Sequence, residues 1–539
     1  MRFQASIELT RLRQLFRPVA ALALFACAAC TWLLNRDTTQ CHTDADCLQY
    51  GVQPSCQNGA CVDTGTPCFL GTPQASSDFL NACTVSSRWS FDDCARLGVC
   101  VADGGPPLVT PPAANDAGTG ASDAGSASSD AGSAAPVMRS LPNCSDLPSG
   151  PRGSGTVYVT GSSNFPTLLA RVAPILASGV PAIGMAPAPA VVYLTTSSCT
   201  GADAVFGPSG GSYMLRDPPA GASLSQYAQY YKPDGTPQPC SLGPTGTLVD
   251  VGEADIYSTT CNSAYVTISA TDTPGPIQAM AFVVPSLSDQ LSISAEAARE
   301  VFGTGGNGGR VAPWTNPDRY YVRNKNTGTQ QMIGRAIGVP PGQFWGIDRH
   351  TAQNLHDSLQ ALTSDPVEAE QAIGIIAVDV YDSSRNNLRA LAYKAPGQTS
   401  AYLPDSTATS YDKQNVRDGH YPIWGPLHFF TPNQASPQAL AFLTYFNGAT
   451  LAGPLLDAFI EASLIPLCAM KVDRAQDQEL GAIRSFAPTH SCECYFLKGA
   501  QPPAGSPPTP LPAECKTCTT QNDCPPSRVC STLGFCETQ

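Results

Sequence analysis

Two short segments carry residue types suited to holding an oxyanion. Residues 158–175 read YVTGSSNFPTLLARVAPI: a strand-like run enters Gly161-Ser162-Ser163-Asn164, and Phe165, Leu168, Leu169, Val172 and Ile175 follow at helical spacing. Pro166 falls near the first helical position, where a missing N–H costs nothing, and Asn164 is the expected N-cap. A strand, a turn of small residues and a helix start leave backbone N–H groups aimed at one point, which suits an anion. A tight turn with Asn164 acting only as a cap has the same signature, so both readings stay open on this segment alone. Residues 323–337 read RNKNTGTQQMIGRAI. Here Thr327-Gly328-Thr329-Gln330 is expected to form a capping box that opens a helix, with Met332, Ile333, Ala336 and Ile337 on its buried face. Arg323 stands four residues before Thr327. A guanidinium beside a helix N-terminus with two hydroxyls offers a charged fork and oriented donors, the equipment for a tetrahedral oxyanion.

Other chemistry is weaker. Gly207-Pro208-Ser209-Gly210-Gly211 satisfies the nucleophile-elbow pattern of a hydrolase, but that motif needs a strand before it and a helix after it, and SYMLRDPPAG has no helical period. His350 and His356 are six residues apart, on different faces of a helix, so a shared metal is not expected and they read as surface helix residues.

The elements that must position the two turns are visible as alternating apolar runs between residues 143 and 494. Strands are expected at residues 156–159, 190–195, 277–284, 372–378 and 388–393, and helices at 165–177, 295–302, 330–337 and 440–446. Strands alternating with helices predict an α/β domain built on a mostly parallel sheet with helices on both faces.

The 539-residue chain carries a formal charge of -13, with 14% charged residues, and no basic run, which excludes nucleic acid as a partner. Arg2, Arg11, Arg13 and Arg17 precede an apolar run at residues 19–34, the order of a secretory signal and shorter than a membrane span. Within it, Leu24-Phe25-Ala26-Cys27 and Cys27-Ala28-Ala29-Cys30 both resemble the lipobox of bacterial lipoproteins. Of 22 cysteines, 20 follow Cys30. Acylation at Cys30 leaves an even set for disulfides, whereas Cys27 strands an odd thiol, so residues 1–30 read as a lipoprotein signal with Cys30 (or Cys27) acylated.

The cysteines group at the ends. Residues 41–101 hold Cys41-x5-Cys47-x8-Cys56-x4-Cys61 and then Cys68, Cys83, Cys94 and Cys100; residues 515–539 hold Cys518-x5-Cys524-x5-Cys530-x5-Cys536. CHTDADC and CQNGACV near the start match CTTQNDC and CSTLGFC at the end, as related small modules that need covalent staples. A zinc site is disfavoured, since beyond Cys30 the sole C-x2-C pair is Cys515-x2-Cys518. Residues 102–142 repeat Asp-Ala-Gly at Asp116, Asp123 and Asp130 with no large apolar residue in the repeat, which reads as a flexible linker. A Pro-rich linker at 501–512 leads to the last module. Seven cysteines lie from Cys144 to Cys494 and five follow. If all pair, at least one disulfide joins the groups, fastening the C-terminal module while the N-terminal one swings on its linker. Cys492 and Cys494 are too close to pair comfortably with each other.

The order of these segments resembles the phosphate-binding proteins of ABC importers, within the type II periplasmic-binding-protein fold. The matching pieces are GSSNFPTLL, TSSCTGADA, VDVGEADIYS, AMAFVVP, LSISAEAAREVFGTGGNGGRVAPWTNP, RNKNTGT, AIGIIAV and YPIWGPLHFF, over roughly residues 153–430. The resemblance implies a two-lobed α/β domain with central mixed sheets at residues 143–494. Lobe one would comprise about 143–276 plus 388–494, lobe two the stretch between. It also implies a ligand set: donors from Asn164 and Phe165, the Ser198 hydroxyl, Asp255 as acceptor, Arg323 as the charge, and Thr327, Gly328 and Thr329 as the second donor turn. An ionised carboxylate in such a site accepts a proton from protonated phosphate and repels fully ionised sulfate. The sequence departs from the family at Asn164, where Thr or Ser is usual, at Thr327 in place of Ser, and at Cys199 in the second loop.

The reading is therefore a disulfide-stapled, extracytoplasmic, lipid-anchored binding protein for phosphate or a related oxyanion. It implies no enzymatic activity, no metal and no cofactor, with an ABC permease as the implied partner and the membrane reached through the lipid anchor. The alternative is a cell-surface recognition or adhesion protein that reuses the binding domain, with or without anion binding.

Overall fold

A computed structural model describes residues 54–57, 60–63, 68–89, 141–150, 155–208, 212–306, 311–448, 452–475 and 478–538. The chain divides into two compact units, Met1–Thr66 and Pro67–Gln539. In the first, β1 (Pro54–Gln57) and β2 (Ala60–Asp63) form an antiparallel hairpin that sets Cys56 opposite Cys61. The signal segment with Cys27 and Cys30, Cys41, Cys47, Cys94, Cys100 and the Asp-Ala-Gly repeats lie outside the described residues.

The second unit is built on an 11-stranded sheet. Its elements, in chain order, begin with α1 (Ser76–Asn81), β3 (Thr156–Gly161), α2 (Phe165–Ser178), β4 (Ala190–Thr195) and α3 (Ser198–Phe206). Next come β5 (Ala228–Tyr231), β6 (Pro237–Cys240), β7 (Val251–Ala254), β8 (Ala270–Pro285) and α4 (Ala295–Thr304). The middle of the chain forms β9 (Tyr320–Val322), α5 (Gly328–Ile337), β10 (Ile347–Asp348), α6 (Ala352–Gln360), β11 (Ile373–Ala377), α7 (Val378–Asp382) and β12 (Leu388–Ala390). The series closes with β13 (Trp424–Pro432), α8 (Pro437–Leu443), α9 (Gly453–Glu461) and α10 (Glu493–Gly499). The strand order is β10-β9-β11-β8-β13-β7-β3-β4-β5-β6, with β12 also on β8.

The sheet is mixed rather than mostly parallel. Two parallel groups, β7-β3-β4 and β10-β9-β11, flank an antiparallel centre made by β8 and β13. The reason is the length of β8: its 16 residues span roughly 50 Å at about 3.3 Å per residue. Ala270–Ala279 pair with β13 and Met280–Val283 with β11, so one strand serves both halves of the sheet. From Gly275 to Pro285 every residue of β8 is buried, matching its largely apolar sequence. Residues 388–393, expected as one strand returning to the first lobe, split instead. Leu388–Ala390 pairs with the far end of β8, and Ala392–Lys394 joins a separate two-stranded sheet with Ser292–Ser294. Leu391 N–H bonds Phe282 at the break between them.

Both chain ends of this unit are docked on it. Cys494–Cys515 is the bridge between the two cysteine groups, and Cys518–Cys530 and Cys524–Cys536 staple the module beyond it. Cys515 and Cys518 are thus both oxidised and unavailable as thiolate metal ligands. At the other end, Cys68–Cys83 closes a loop that contains the buried Phe79, and Trp89 beyond it is buried too, Trp89 pairing with Ala401 and Asn81 bonding Gly397 and Thr399. The expectation that the whole of 41–101 swings on its linker is corrected for residues 68–89. They do carry apolar anchors, and burying Phe79 and Trp89 fastens them to the domain.

In the second half, Asp405, 2% exposed, accepts hydrogen bonds from Lys413 Nζ at 3.0 Å and Arg385 Nη2 at 2.6 Å, while Asp382 holds the same two cations. Burial pushes the Asp405 carboxyl up, but Lys413 and Arg385 outweigh it and hold it below the usual range. Its stabilisation is present above the unfolded carboxylate pKa and is lost as pH falls through the depressed folded value. Asp405→Ala leaves two buried cations short of a partner and is expected to cost about 3–5 kcal/mol. Urea unfolding near neutral pH measures this; a loss under 1 kcal/mol would contradict it.

Candidate anion-binding site

All parallel strands of both halves end at one level of the molecule, and their C-terminal ends carry the residues singled out from sequence. β3 leads into Ser162–Asn164, β4 into Ser197 and Ser198, β7 into Asp255, β9 into Arg323, β10 into His350 and β11 into Asp379. Ligands of open α/β sheets bind in such a crevice. Close backbone packing sets the first half of it: a Cβ on Gly201 would sit 2.0 Å from the Glu253 carbonyl, and one on Gly252 2.1 Å from the Gly201 carbonyl. Only glycines let α3 lie this tightly on β7. Cys199–Cys261 ties the same helix down.

Asp255, 1% exposed, is the centre of the cluster. Its Oδ2 accepts from Ser162 Oγ at 2.7 Å, Asn164 Nδ2 at 3.2 Å and Ser198 Oγ at 3.3 Å. Ser198 Oγ in turn accepts the Gly328 N–H at 3.0 Å, so the first turn of α5 touches the first half directly. A Cβ at Gly328 would lie 2.7 Å from Asp255 Cβ and 2.8 Å from Ser198 Oγ. Arg323, 2% exposed, donates Nη2 to Ser163 Oγ at 3.1 Å and Nε to the His350 carbonyl at 3.2 Å, which links the two halves again. Four buried side-chain atoms of this region have no hydrogen-bond partner among the described residues: Arg323 Nη1, Asp255 Oδ1, Asn164 Oδ1 and Glu253 Oε1. One is a charged donor and three are acceptors.

The structure thus brings Asn164, Ser198, Asp255, Arg323 and Gly328 together. Phe165 lies beneath them, its ring 5.3 Å from Tyr193 and 5.5 Å from Phe429. Thr327 and Thr329 are buried at the start of α5, but the Thr327 hydroxyl turns away to the Asn324 carbonyl at 2.9 Å. Two cap expectations are corrected. Asn164 stands at the N-cap without capping, because its amide is drawn to Asp255. The Thr327–Gln330 capping box does not form; Gln330 Oε1 accepts the Arg323 N–H and its Nε2 donates to Pro341. In both cases a partner outside the local turn outbids the cap, a buried carboxylate for Asn164 and two backbone groups for Gln330.

Sequence reasoning missed Ser162, Ser163 and Glu253 as parts of the site. Glu253, fully buried, accepts from the Ser162 N–H at 2.8 Å and Tyr193 Oη at 2.9 Å. The signal was present: Glu253 and Asp255 are two residues apart at a strand end and share a face. The elbow-like motif begins at Gly207, the C-cap of α3, so a helix and not a strand precedes it, and residues 209–211 lie outside the described residues. His350 sits before α6 with φ 58°, and His356 is buried in α6, so the reading of both as surface helix residues is corrected.

Enclosure dominates the electrostatics. Burial pushes Asp255 up, against the Ser162 and Ser198 hydroxyls and the Arg323 charge. Burial and then the Asp255 charge push Glu253 well up. Burial, opposed by a backbone bond and reinforced by the Asp255 charge, lifts Asp379 to about 7. Arg323 is pulled down by burial and up by the neighbouring acids.

No protein-family model matches the chain, and no curated protein matches it. Among solved structures, it is similar to a candidate phosphate ABC transporter substrate-binding protein from Clostridium perfringens with bound phosphate. That match has 13% identity and a TM-score of 0.37, covering 58% of this chain and 100% of the other. An ABC-type phosphate transport receptor from Vibrio cholerae matches at 11% identity and TM-score 0.35, over 57% of this chain and 99% of that one. A high affinity periplasmic phosphate-binding protein bound with phosphate matches at 12% and 0.36, over 65% and 100%. The fold assignment rests on the strand order itself.

Two outcomes follow from this geometry. Gly328→Ala drives a methyl group into Asp255 and Ser198 and is expected to cost about 1–3 kcal/mol, read as a lower urea midpoint; an unchanged midpoint means the two turns are not in contact. Asp379 has a folded pKa of about 7 against 3.8, so its contribution is present below the unfolded value and lost as pH rises through about 7. Asp379→Asn should therefore flatten the fall in unfolding free energy between about pH 5 and about pH 8. A slope identical to that of the unaltered chain would refute the assignment.

Proposed function

We propose that this chain is an extracytoplasmic solute-binding lipoprotein that captures phosphate or a similar oxyanion between the two halves of its sheet. The observation that carries the reading is Arg323: a guanidinium 2% exposed, held by one hydroxyl and one carbonyl, with Nη1 unpartnered. A buried cation with an unused donor calls for an anion. The acceptors Asp255 Oδ1 and Asn164 Oδ1, also unpartnered, call for a ligand that can donate as well. A protonated phosphate does both; a fully ionised sulfate only accepts.

In this reading Asn164 and Phe165 supply donors from the first turn, Ser198 its hydroxyl, and Thr327, Gly328 and Thr329 the second donor turn. Asp255 accepts a hydrogen bond from the ligand's O–H. Binding breaks the Gly328-to-Ser198 contact and turns both donors to the ligand, a population shift that depends on contacts to both halves. No bond is made or broken. Acylation at Cys30 (or Cys27) would hold the chain at a membrane, and an ABC permease would receive the ligand. Among the described residues no helix is long and apolar enough to cross a membrane.

One observation favours the second reading, a surface recognition protein without anion binding. Asp255 occupies the donors of the first turn, and Gly328 N–H is already spent on Ser198. Calorimetric titration of the full chain separates the two. Phosphate should bind with a Kd on the order of micromolar or tighter at neutral pH, with sulfate at least tenfold weaker. Arg323→Met should weaken phosphate by about 3 kcal/mol, on the order of 100-fold. No heat with either ion up to millimolar concentration sinks the binding reading and leaves recognition.

A further inference from the structure

A groove of about 450 Å³ opens between the halves; its polar lining residues include Thr167, Arg171, Gln353, Asp379, Lys413 and Glu461. Three of its lining residues follow closely on elements that carry the oxyanion site. Thr167 is in the first turn of α2, three residues beyond Asn164. Gln353 follows His350, whose carbonyl takes Arg323 Nε. Asp379 opens α7 at the end of β11, and its charge acts on both Asp255 and Arg323. The volume lies in the range of small-molecule sites, far more than donor turns need for a bare tetrahedral anion.

The charges in the groove are paired with one exception. Arg171 meets Glu461 at 2.6 Å, and Lys413 meets Asp382 at 2.8 Å and Asp405 at 3.0 Å. Asp379 has no ion pair among the described residues; its carboxylate accepts backbone N–H groups of Val380 and Asp379 at the start of α7 and one long side-chain bond, 3.3 Å, from Gln278 Nε2 of the crossing strand. A groove whose wall carries a carboxylate without an ion pair among the described residues, close enough to act on Arg323 and Asp255, is complementary to a ligand with an anion at the Arg323 end and a cation at the other.

We infer that the ligand is a small phosphate monoester whose alcohol carries an ammonium group, its phosphate at Arg323 and its ammonium beside Asp379. The inference rests on the oxyanion reading above and names the substrate class of that site. The phosphate keeps the Arg323 fork and the two donor turns, and the ester chain lies along Thr167 and Gln353. The ammonium replaces the long Gln278 contact with a charge-assisted bond.

The test is titration of the full chain with O-phosphoethanolamine, monoethyl phosphate and inorganic phosphate at neutral pH. The expected result is that O-phosphoethanolamine binds at least about tenfold tighter than monoethyl phosphate, which differs from it by the ammonium. In Asp379→Asn that ratio should fall to near one. Equal affinity of the two esters in the unaltered chain overturns the inference, as does a ratio that survives in Asp379→Asn. If the variant does not fold, the comparison on the unaltered chain decides alone. Binding of inorganic phosphate with neither ester bound overturns the substrate class and leaves the oxyanion site standing. Binding of none of the three overturns both.

Discussion

Burying a carboxylate costs several kcal/mol unless donors surround it, and the architecture around Asp255 is the answer to that cost. Its Oδ2 collects Ser162, Asn164 and Ser198, three side chains from the ends of two different strands. Arg323 supplies the opposing charge from the other half of the sheet. The tight glycine contacts at Gly201, Gly252 and Gly328 follow from it, because donors can reach one carboxylate only if the turns that bear them come nearly into backbone contact. The same demand explains why Asn164 abandons its local cap.

That cluster sits at the centre of a mechanical arrangement. The long crossing strand β8 belongs to both halves, and β13 runs beside it, so a relative movement of the halves must bend these strands. Arg323-to-Ser163 and Gly328-to-Ser198 are the hydrogen bonds that such a movement alters first. A ligand supplying oxygens to Arg323 and Gly328, and an O–H to Asp255, would substitute for them one by one. Closure and capture are then the same exchange of partners, described from the protein's side or from the ligand's. Disulfides hold what should not move: Cys199–Cys261 pins the helix below Ser198, and Cys494–Cys515 fastens the C-terminal module.

Much of this was legible in the residue order. The strand and helix at residues 156–178 and the helix that opens at Gly328 were marked by apolar period and by turns of small residues. Arg323 and the two turns were read from residue types and spacing, whereas Ser198 and Asp255 were carried by the resemblance of eight short segments in sequence. What failed did so for one reason: local rules assume local partners. Asn164 and the Thr327–Gln330 segment read as caps because capping is the best bond available within a few residues. The folded chain offers Asn164 a carboxylate 91 positions away and Gln330 the Arg323 backbone. Residues 68–89 read as part of a free module because cysteine spacing overshadowed Phe79 and Trp89.

The sequence by itself determined the kinds of groups this protein can present: two helix starts with small-residue turns, a lone arginine before one of them, an acid in a strand-end segment, and cysteines in numbers suited to an oxidising compartment. Those depend on composition and on spacing within a dozen residues, over which chain geometry is nearly independent of context. Only the tertiary structure decided that the groups meet. It placed Arg323 against Ser163 from 160 positions away, left Nη1 and Asp255 Oδ1 without partners, and set the unpaired Asp379 in a groove beyond them. Desolvation is the physical reason. A guanidinium or carboxylate in water needs no specific partner, and the demand for one arises when the sheet closes over it.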